Sequence, residues 1–165
     1  MPVALTSFFL LITLLSAVFS GCGDDGNRCG PSSATVTRIV DGDTVELADG
    51  TKVRYLMIDT PESTGGADDC YGQEAADYNR DLVLDRKVKL TYDVECADFY
   101  DRLLAYVEVD GVEVNLRMVE YGYACALYIP PNGEDRRAEF ENTEAAAEAA
   151  GRGMWGACSV VTCDQ

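Results

Sequence analysis

The stretch TVTRIVDGDTVELADGTKVRYLMIDTPE, residues 35–62, decides the fold because it holds three strand-like runs separated by short polar turns. Alternation of apolar and polar residues predicts strands over residues 35–41, 45–48 and 52–58. Asp49 and Gly50 lie between the second and third runs, and an Asp-Gly pair in that position is typical of a tight β-hairpin turn. The stretch therefore predicts the start of an antiparallel β-sheet.

Downstream of this stretch, helix-like and strand-like segments follow one another. The periodicity predicts a helix over residues 71–85, strands over 88–94 and 103–109, and helices over 114–121 and 134–150. Several short strands with interposed helices are typical of a small Greek-key barrel. We therefore expect an α+β fold that is mainly β: a five-stranded OB-fold barrel with about three helices, spanning residues 34–165.

The charge balance and the absence of histidine limit the chemistry that the chain can perform. The 165 residues include 13 Lys and Arg against 29 Asp and Glu, which gives a net charge of −16, and there is no histidine. This charge argues against a broad basic surface for polyanions. The chain has no Ser-His-Asp or Cys-His catalytic unit, no imidazole base and no histidine zinc ligand. Carboxylates, arginines, tyrosines, backbone groups or a bound ion must carry any catalysis.

The amino-terminal residues predict export. Residues 8–19 form an apolar run too short to cross a bilayer comfortably, and Ser20, Gly21 and Cys22 follow it. Residues 1–21 resemble a secretion signal, with Cys22 where a lipoprotein is acylated; a cleaved signal whose first cysteine joins a disulfide is the alternative. Residues 22–33 are polar, which is typical of a flexible tether. We expect a cell-envelope lipoprotein, anchored to the membrane through Cys22, or a secreted or periplasmic protein.

The cysteine count agrees with export. Besides Cys22, the chain has six cysteines, at positions 29, 70, 96, 125, 158 and 163. An even set in an exported chain predicts disulfides, and six cysteines would form three. The number of possible pairings is large, and spacing alone does not choose among them.

Three short motifs contain the candidate chemistry. Asp-Gly-Asp-Thr stands at residues 41–44, Arg-x4-Asp-Thr-Pro-Glu at 54–62, and Asp-x3-Arg-Leu-Leu-Ala-Tyr at 98–106. In this order they resemble the staphylococcal nuclease (thermonuclease) family, and the resemblance covers roughly residues 34–155. It implies an OB-fold barrel, a monomeric protein, and Ca²⁺-dependent hydrolysis of phosphodiester bonds in DNA and RNA. Little sequence specificity and a preference for single strands are implied as well.

The residue types in these motifs suit phosphodiester hydrolysis on physical grounds. Asp43 and Asp59, at the ends of predicted strands, offer oxygen ligands to a hard cation that keeps open coordination positions. Arg54 and Arg102 have the planar donor fork that matches a phosphate and stabilises extra charge in a transition state. Glu62 has no histidine to compete with it as a base.

The family resemblance adds roles that residue chemistry alone does not give. It implies Ca²⁺ as the ion, the Thr60 carbonyl as a further ligand, and Asp41 as a supporting carboxylate. It also implies that Arg54 and Arg102 are catalytic and that Glu62 is the general base or orients the attacking water.

Two positions match the motifs of the family less well. Tyr128 falls near the nucleotide-stacking tyrosines of the family, so we expect it to bind substrate. Asp101 stands where the family usually has a glycine, directly before Arg102. The extra carboxylate could weaken the binding of a phosphate there or tighten the binding of a cation.

Simpler interpretations stay open for these residues. Asp41 and Gly42 could form only a turn, Arg54 could be a solvated strand residue, and Tyr128 could serve ordinary packing. For the function, the alternative to a nuclease is a non-catalytic module of the same fold that binds nucleic acid or protein.

The resemblance also favours particular disulfides. In the family fold, the regions around Cys70 and Cys96 flank the same site, which favours a Cys70–Cys96 bridge. The remaining expected pairs are Cys125–Cys158, which would fasten the carboxyl-terminal tail, and Cys29–Cys163, which would join the two ends.

Overall fold

The computed structural model describes Met1, residues 29–63 and residues 69–163. Its strands are β1 (Ser33–Ile39), β2 (Thr44–Leu47), β3 (Lys52–Tyr55), β4 (Ile58–Asp59), β5 (Lys87–Thr91), β6 (Leu103–Val109), β7 (Val112–Glu113) and β8 (Cys125–Ala126). Its helices are α1 (Gly72–Val83), α2 (Val114–Glu120), α3 (Arg137–Ala149) and α4 (Met154–Ala157), with a 3₁₀ turn at Glu134–Arg136. None of the helices in this part of the chain is long and apolar enough to cross a membrane.

Five of the strands close into a barrel. β1 pairs antiparallel with β2 on one side and with β5 on the other, and the sheet continues from β2 to β3 and from β5 to β6. A parallel pairing of β3 with β6, with Val53 opposite Leu103, closes the ring. The predicted five-stranded OB-fold barrel is confirmed, and α1, α2 and α3 are the three predicted helices.

The predicted third strand, residues 52–58, is interrupted in the structure. Pairing with β2 ends at Arg54, and Met57 has a φ of 66°, in the left-handed region that L-residues rarely adopt. The chain turns here, so that Ile58 and Asp59 form β4 and pair with β8. Arg54 and Asp59 therefore belong to different sheets, and the turn between them allows their side chains to meet.

The buried amide of Asn115, at the start of α2, holds this turn against the barrel. The Asn115 side chain is fully buried, and its nitrogen donates to the carbonyl oxygens of Leu56 at 2.8 Å and of Ala105 at 3.2 Å. Its oxygen accepts from the backbone N–H of Val107 at 2.9 Å. A single side chain thus satisfies three buried backbone groups where β3, β6 and α2 meet.

The folded part begins earlier than the predicted boundary at residue 34. Tyr92 donates its hydroxyl to the carbonyl of Pro31 at 3.0 Å, and the backbone N–H of Leu90 donates to the carbonyl of Ser32 at 2.8 Å. Cys29 is bonded to Cys96. Residues 29–33 are therefore attached to the barrel, whereas the rest of the tether predicted over 22–33 lies outside the described residues. The predicted signal peptide (apart from Met1) and Cys22 lie outside the described residues.

The three expected disulfide pairings, Cys70–Cys96, Cys125–Cys158 and Cys29–Cys163, are wrong. The structure pairs Cys29 with Cys96, Cys70 with Cys158 and Cys125 with Cys163.

The topology of the barrel explains why the observed disulfide pairs differ from the expected ones. β1 runs antiparallel to β5, with Ser33 opposite Lys89, so the residues before β1 lie beside those that follow β5. This register brings Cys29 to Cys96. The tail after α4 passes the start of α1 at Cys70 and then reaches β8 at Cys125.

Replacing the buried amide tests its importance for the fold. We expect Asn115→Ala to lower the free energy of unfolding by about 2–4 kcal/mol, because three buried backbone groups each lose a hydrogen bond. Urea denaturation followed by circular dichroism measures the loss. Gln73→Ala is the matched control, since this exposed amide donates to Asp77 on the same helix face; we expect its effect to stay within about 0.5 kcal/mol. A similar small effect for Asn115→Ala would contradict this account.

Candidate active site

The carboxylate of Asp43 is a buried acceptor at the start of β2. The residue is 5% exposed. One carboxylate oxygen accepts from the backbone N–H of Thr60 at 2.9 Å and from the Thr60 hydroxyl at 3.1 Å, while the other accepts from the Thr44 hydroxyl at 3.0 Å. Asp43 therefore joins the loop before β2 to the residues that follow β4.

The guanidinium of Arg54 lies between two carboxylates. Its Nη1 is 2.9 Å from Asp43 Oδ2, and its Nη2 is 2.8 Å from Asp59 Oδ1. The same Nη1 donates to the carbonyl oxygens of Ile58 at 2.8 Å and of Tyr55 at 3.2 Å. Arg54 is thus held in one orientation by groups on β3 and β4, and the two carboxylates converge on it.

Asp41 and Asn79 support the cluster of Asp43, Arg54 and Asp59 from the side of α1. Asp41 accepts from the backbone N–H of Asp43 at 3.1 Å, while burial, and then the negative charge of Asp43, raises the pKa of Asp41 to about 7. The buried Asn79 accepts from the Tyr55 hydroxyl at 3.0 Å and donates to the Asp41 carbonyl at 3.2 Å. Close packing of Gly42 on Thr60, where a Cβ would lie 2.7 Å from the hydroxyl, completes the loop.

Arg102 stands at the end of a loop that Asp98 closes. Asp98 Oδ2 accepts from Nε of Arg102 at 2.7 Å, and Oδ1 accepts from the backbone N–H groups of Tyr100 at 2.9 Å and Arg102 at 3.0 Å. Burial disfavours the charge of Asp98, but the hydrogen bonds from Arg102 outweigh it and lower the pKa of Asp98. Asp101 has a φ of 61°, which is the backbone conformation that glycine adopts most easily.

One cleft of about 770 Å³ brings four of the predicted site residues together. Its lining includes Arg54, Asp59, Arg102 and Tyr128, with residues 97–99 and 129–130 at other points of the wall. The two arginines that the motifs single out therefore line the same space, although Arg54 lies on β3 and Arg102 lies in the loop directly before β6.

Glu62 lines a separate, smaller cavity. This cavity has a volume of about 110 Å³ and is lined by Asp59, Thr60, Glu62, Asp69, Thr162 and Cys163. Asp59 is shared with the large cleft, so the two spaces adjoin through its side chain. Gly72 fixes the backbone here, since a Cβ at that position would lie 2.5 Å from the Glu62 carbonyl oxygen.

Tyr128 has two polar partners within the protein. Its hydroxyl donates to Glu134, and the guanidinium of Arg137 lies 4.9 Å from the centre of its ring. The ring lines the cleft, but Arg137 covers part of it. Its expected role in binding substrate stays a prediction.

The donor set around Arg54 suits a hard cation. Asp43 and Asp59 converge on a single positive group, and Thr60 lies beside them, so every donor is an oxygen. Within the described residues, no three Asp, Glu, Cys or His side chains are grouped tightly enough to form a metal cage by themselves. The protein would therefore supply few ligands and leave coordination positions for water and substrate.

Sequence reasoning missed the residues that position the site. Asp98 was part of a motif, but no local signal shows that its carboxylate closes the loop onto Arg102. Asn79 and Asn115 stand in ordinary helical positions, and their hydrogen bonds cross 38 and 59 residues of chain to Asp41 and Leu56. Only the fold brings these partners together.

The fold and the site define an OB-fold barrel protein with an arginine-containing cleft beside two convergent carboxylates. A family model described as "Staphylococcal nuclease homologue" matches residues 52–157. The chain belongs to the staphylococcal nuclease family.

Three relatives illustrate the similarity. The chain is 35% identical over 137 residues to "Endonuclease YncB" of Bacillus subtilis (strain 168), covering 79% of the chain and 64% of that protein. It is 36% identical over 135 residues to "SPbeta prophage-derived endonuclease YokF" of the same strain, covering 78% of the chain and 45% of that protein. It is 35% identical over 109 residues to "Thermonuclease" of Staphylococcus intermedius, covering 63% of the chain and 65% of that protein. The chain thus spans less than two thirds of the length of each of these relatives.

The loop closed by Asp98 gives a stability test. We expect Asp98→Ala to lower the free energy of unfolding by about 1–2 kcal/mol, because a partly buried carboxylate with three donors is removed. Thermal and urea unfolding measure the change. Asp77→Ala is the matched control, because Asp77 also pairs with an arginine but on an exposed helix face; its effect is expected to stay near zero. Equal effects for the two variants would refute the role given to Asp98.

Proposed function

We propose that the chain is an exported, Ca²⁺-dependent nuclease that hydrolyses phosphodiester bonds of DNA and RNA with little sequence specificity. The observation that carries the proposal is the Arg54 guanidinium, fixed between Asp43 and Asp59 at the edge of a cleft that Arg102 also lines. The printed names of the relatives, endonuclease and thermonuclease, support the same activity.

The residues have distinct tasks in this reaction. Arg54 and Arg102 donate to the phosphate oxygens and stabilise the extra negative charge as water attacks phosphorus. Glu62 orients that water or accepts its proton, while the phosphorus–oxygen bond to the leaving group breaks. Asp43, Asp59 and the Thr60 carbonyl would hold Ca²⁺, with Asp41 in support. The bound ion would supply positive charge next to the phosphate and help deprotonate the water.

Little sequence specificity follows from the kind of donors in the cleft. Arg54 and Arg102 suit phosphate oxygens, and contacts to phosphate carry no sequence information. A single-stranded substrate reaches the cleft most easily, because its backbone can bend into a concave site. We propose that the protein acts as a monomer.

Export has a separate support. The six cysteines in the described residues form three disulfides, and such pairs persist in oxidising compartments. We propose a cell-envelope lipoprotein, anchored to the membrane through Cys22, or a secreted or periplasmic protein.

Removal of the cation tests the mechanism most directly. We expect degradation of single-stranded DNA in Ca²⁺, its loss in excess EGTA, and its return when Ca²⁺ is restored. Asp43→Asn should abolish the activity because the site loses a negative ligand, whereas thermal unfolding shows that the fold persists. Asp49→Asn is the control: this exposed carboxylate lies in the β2–β3 turn, and we expect its variant to keep full activity. Full cleavage in excess chelator would refute the proposed mechanism, and binding without cleavage would indicate a non-catalytic module.

The fork of donors on Arg54 is the second test. Arg54→Lys keeps the positive charge but has a single nitrogen in place of the fork, so we expect kcat to fall by about 10²-fold or more. Arg38→Lys is the matched control, since Arg38 is also a strand arginine paired with a carboxylate, Glu46, but is exposed on β1. Near-normal kcat for Arg54→Lys would remove Arg54 from the catalytic group.

A further inference from the structure

Phe99 is the most exposed aromatic ring in the part of the chain that the structure describes. It is 85% exposed, and its neighbour Tyr100 is 66% exposed. An apolar ring held in water is unfavourable, so a large exposed ring beside a site is a candidate contact for a ligand. Phe99 lines the cleft that contains Arg54 and Arg102. Ile129, which is 64% exposed, lines the same cleft.

The loop that carries Phe99 is fixed in place. Asp98 accepts from the backbone N–H of Tyr100 at 2.9 Å, and the N–H of Asp101 donates to the Asp98 carbonyl at 3.1 Å. Cys96, at the base of the loop, is bonded to Cys29. The rings of Phe99 and Tyr100 have centroids 3.8 Å apart, so each limits the motion of the other. A ligand that contacts Phe99 would therefore meet a ring that is already ordered, which lowers the entropic cost of binding.

The charge of the chain makes an apolar contact important. Nucleic-acid affinity usually comes from Lys and Arg that neutralise phosphates, but this chain has a net charge of −16. Among the described residues lining the cleft, the cationic side chains are Arg54 and Arg102, and both are paired with carboxylates. Base stacking on an aromatic ring does not depend on net charge, and it acts on any base.

We infer that Phe99 is a substrate-positioning residue that stacks on an unpaired nucleobase next to the phosphate held by Arg54 and Arg102. This inference rests on the proposed function and names the part of the substrate that the cleft recognises besides the phosphate. A paired base has both faces covered within the duplex, so the stack favours single-stranded or frayed substrate over intact duplex.

The test compares Phe99→Ala and Phe99→Trp on two substrates of equal length: oligothymidylate and an oligonucleotide of abasic sites. On oligothymidylate, Phe99→Ala is expected to raise KM by about 5- to 100-fold with little change in kcat, while Phe99→Trp stays near wild type. On the abasic oligonucleotide, the three proteins should have the same KM. Tyr121→Ala is the control, because Tyr121 is an exposed ring outside the cleft lining.

A binding measurement separates this inference from the proposed function. Fluorescence anisotropy of labelled oligothymidylate in excess EGTA gives the affinity without cleavage, and Phe99→Ala should weaken it by a similar factor. The dependence of affinity on salt should not change, because no phosphate contact is lost. If the wild type cleaves the substrate but wild type and Phe99→Ala have equal KM values, the stacking role is refuted and the proposed nuclease function still stands. Absence of cleavage refutes the proposed function, and equal affinities for wild type and Phe99→Ala in the anisotropy measurement then refute the stacking as well.

Discussion

The ion pairs that Arg54 makes with Asp43 and Asp59 are the constraint on which the site depends. Two carboxylates that are almost inaccessible to water need a positive charge and hydrogen-bond donors, because burial penalises their ionised form. Arg54 supplies the charge, and Thr60 supplies a backbone N–H and a hydroxyl to Asp43. These contacts also tie β4 to β3 and to the loop before β2, so the same interactions that organise the chemistry also hold β4 against the barrel.

Much of the barrel was predictable because its strands are short and their signals are local. The alternation in residues 35–62 and the Asp-Gly turn at 49–50 predict the β1–β3 meander. The interruption of the third strand was not predicted, since Leu56 and Met57 look like ordinary strand residues. The left-handed backbone of Met57 has tertiary support that is not visible in the local sequence: Asn115 donates to the preceding carbonyl, that of Leu56.

The candidate site was predictable in its residue types but not in their arrangement. The motifs named Arg54 and Arg102, and the structure places both in one cleft. The position of Glu62 in a neighbouring cavity, and the wall that Thr162 and Cys163 add to it, depend on the tail. The tail's course could not be read from sequence, because cysteine spacing does not encode which residues lie side by side. The wrong disulfide assignments have the same origin.

The order of the disulfides along the chain has a consequence for how the protein acquires them. Cys29–Cys96 overlaps Cys70–Cys158, which in turn overlaps Cys125–Cys163, so each bridge encloses one end of another. None of these bridges joins cysteines that are consecutive in the chain. An oxidant that coupled cysteines in the order of their synthesis would join Cys29 to Cys22 or, where Cys22 is acylated, to Cys70, and neither pair is native. Correct oxidation therefore depends on thiol–disulfide exchange or on a delay until the barrel has formed.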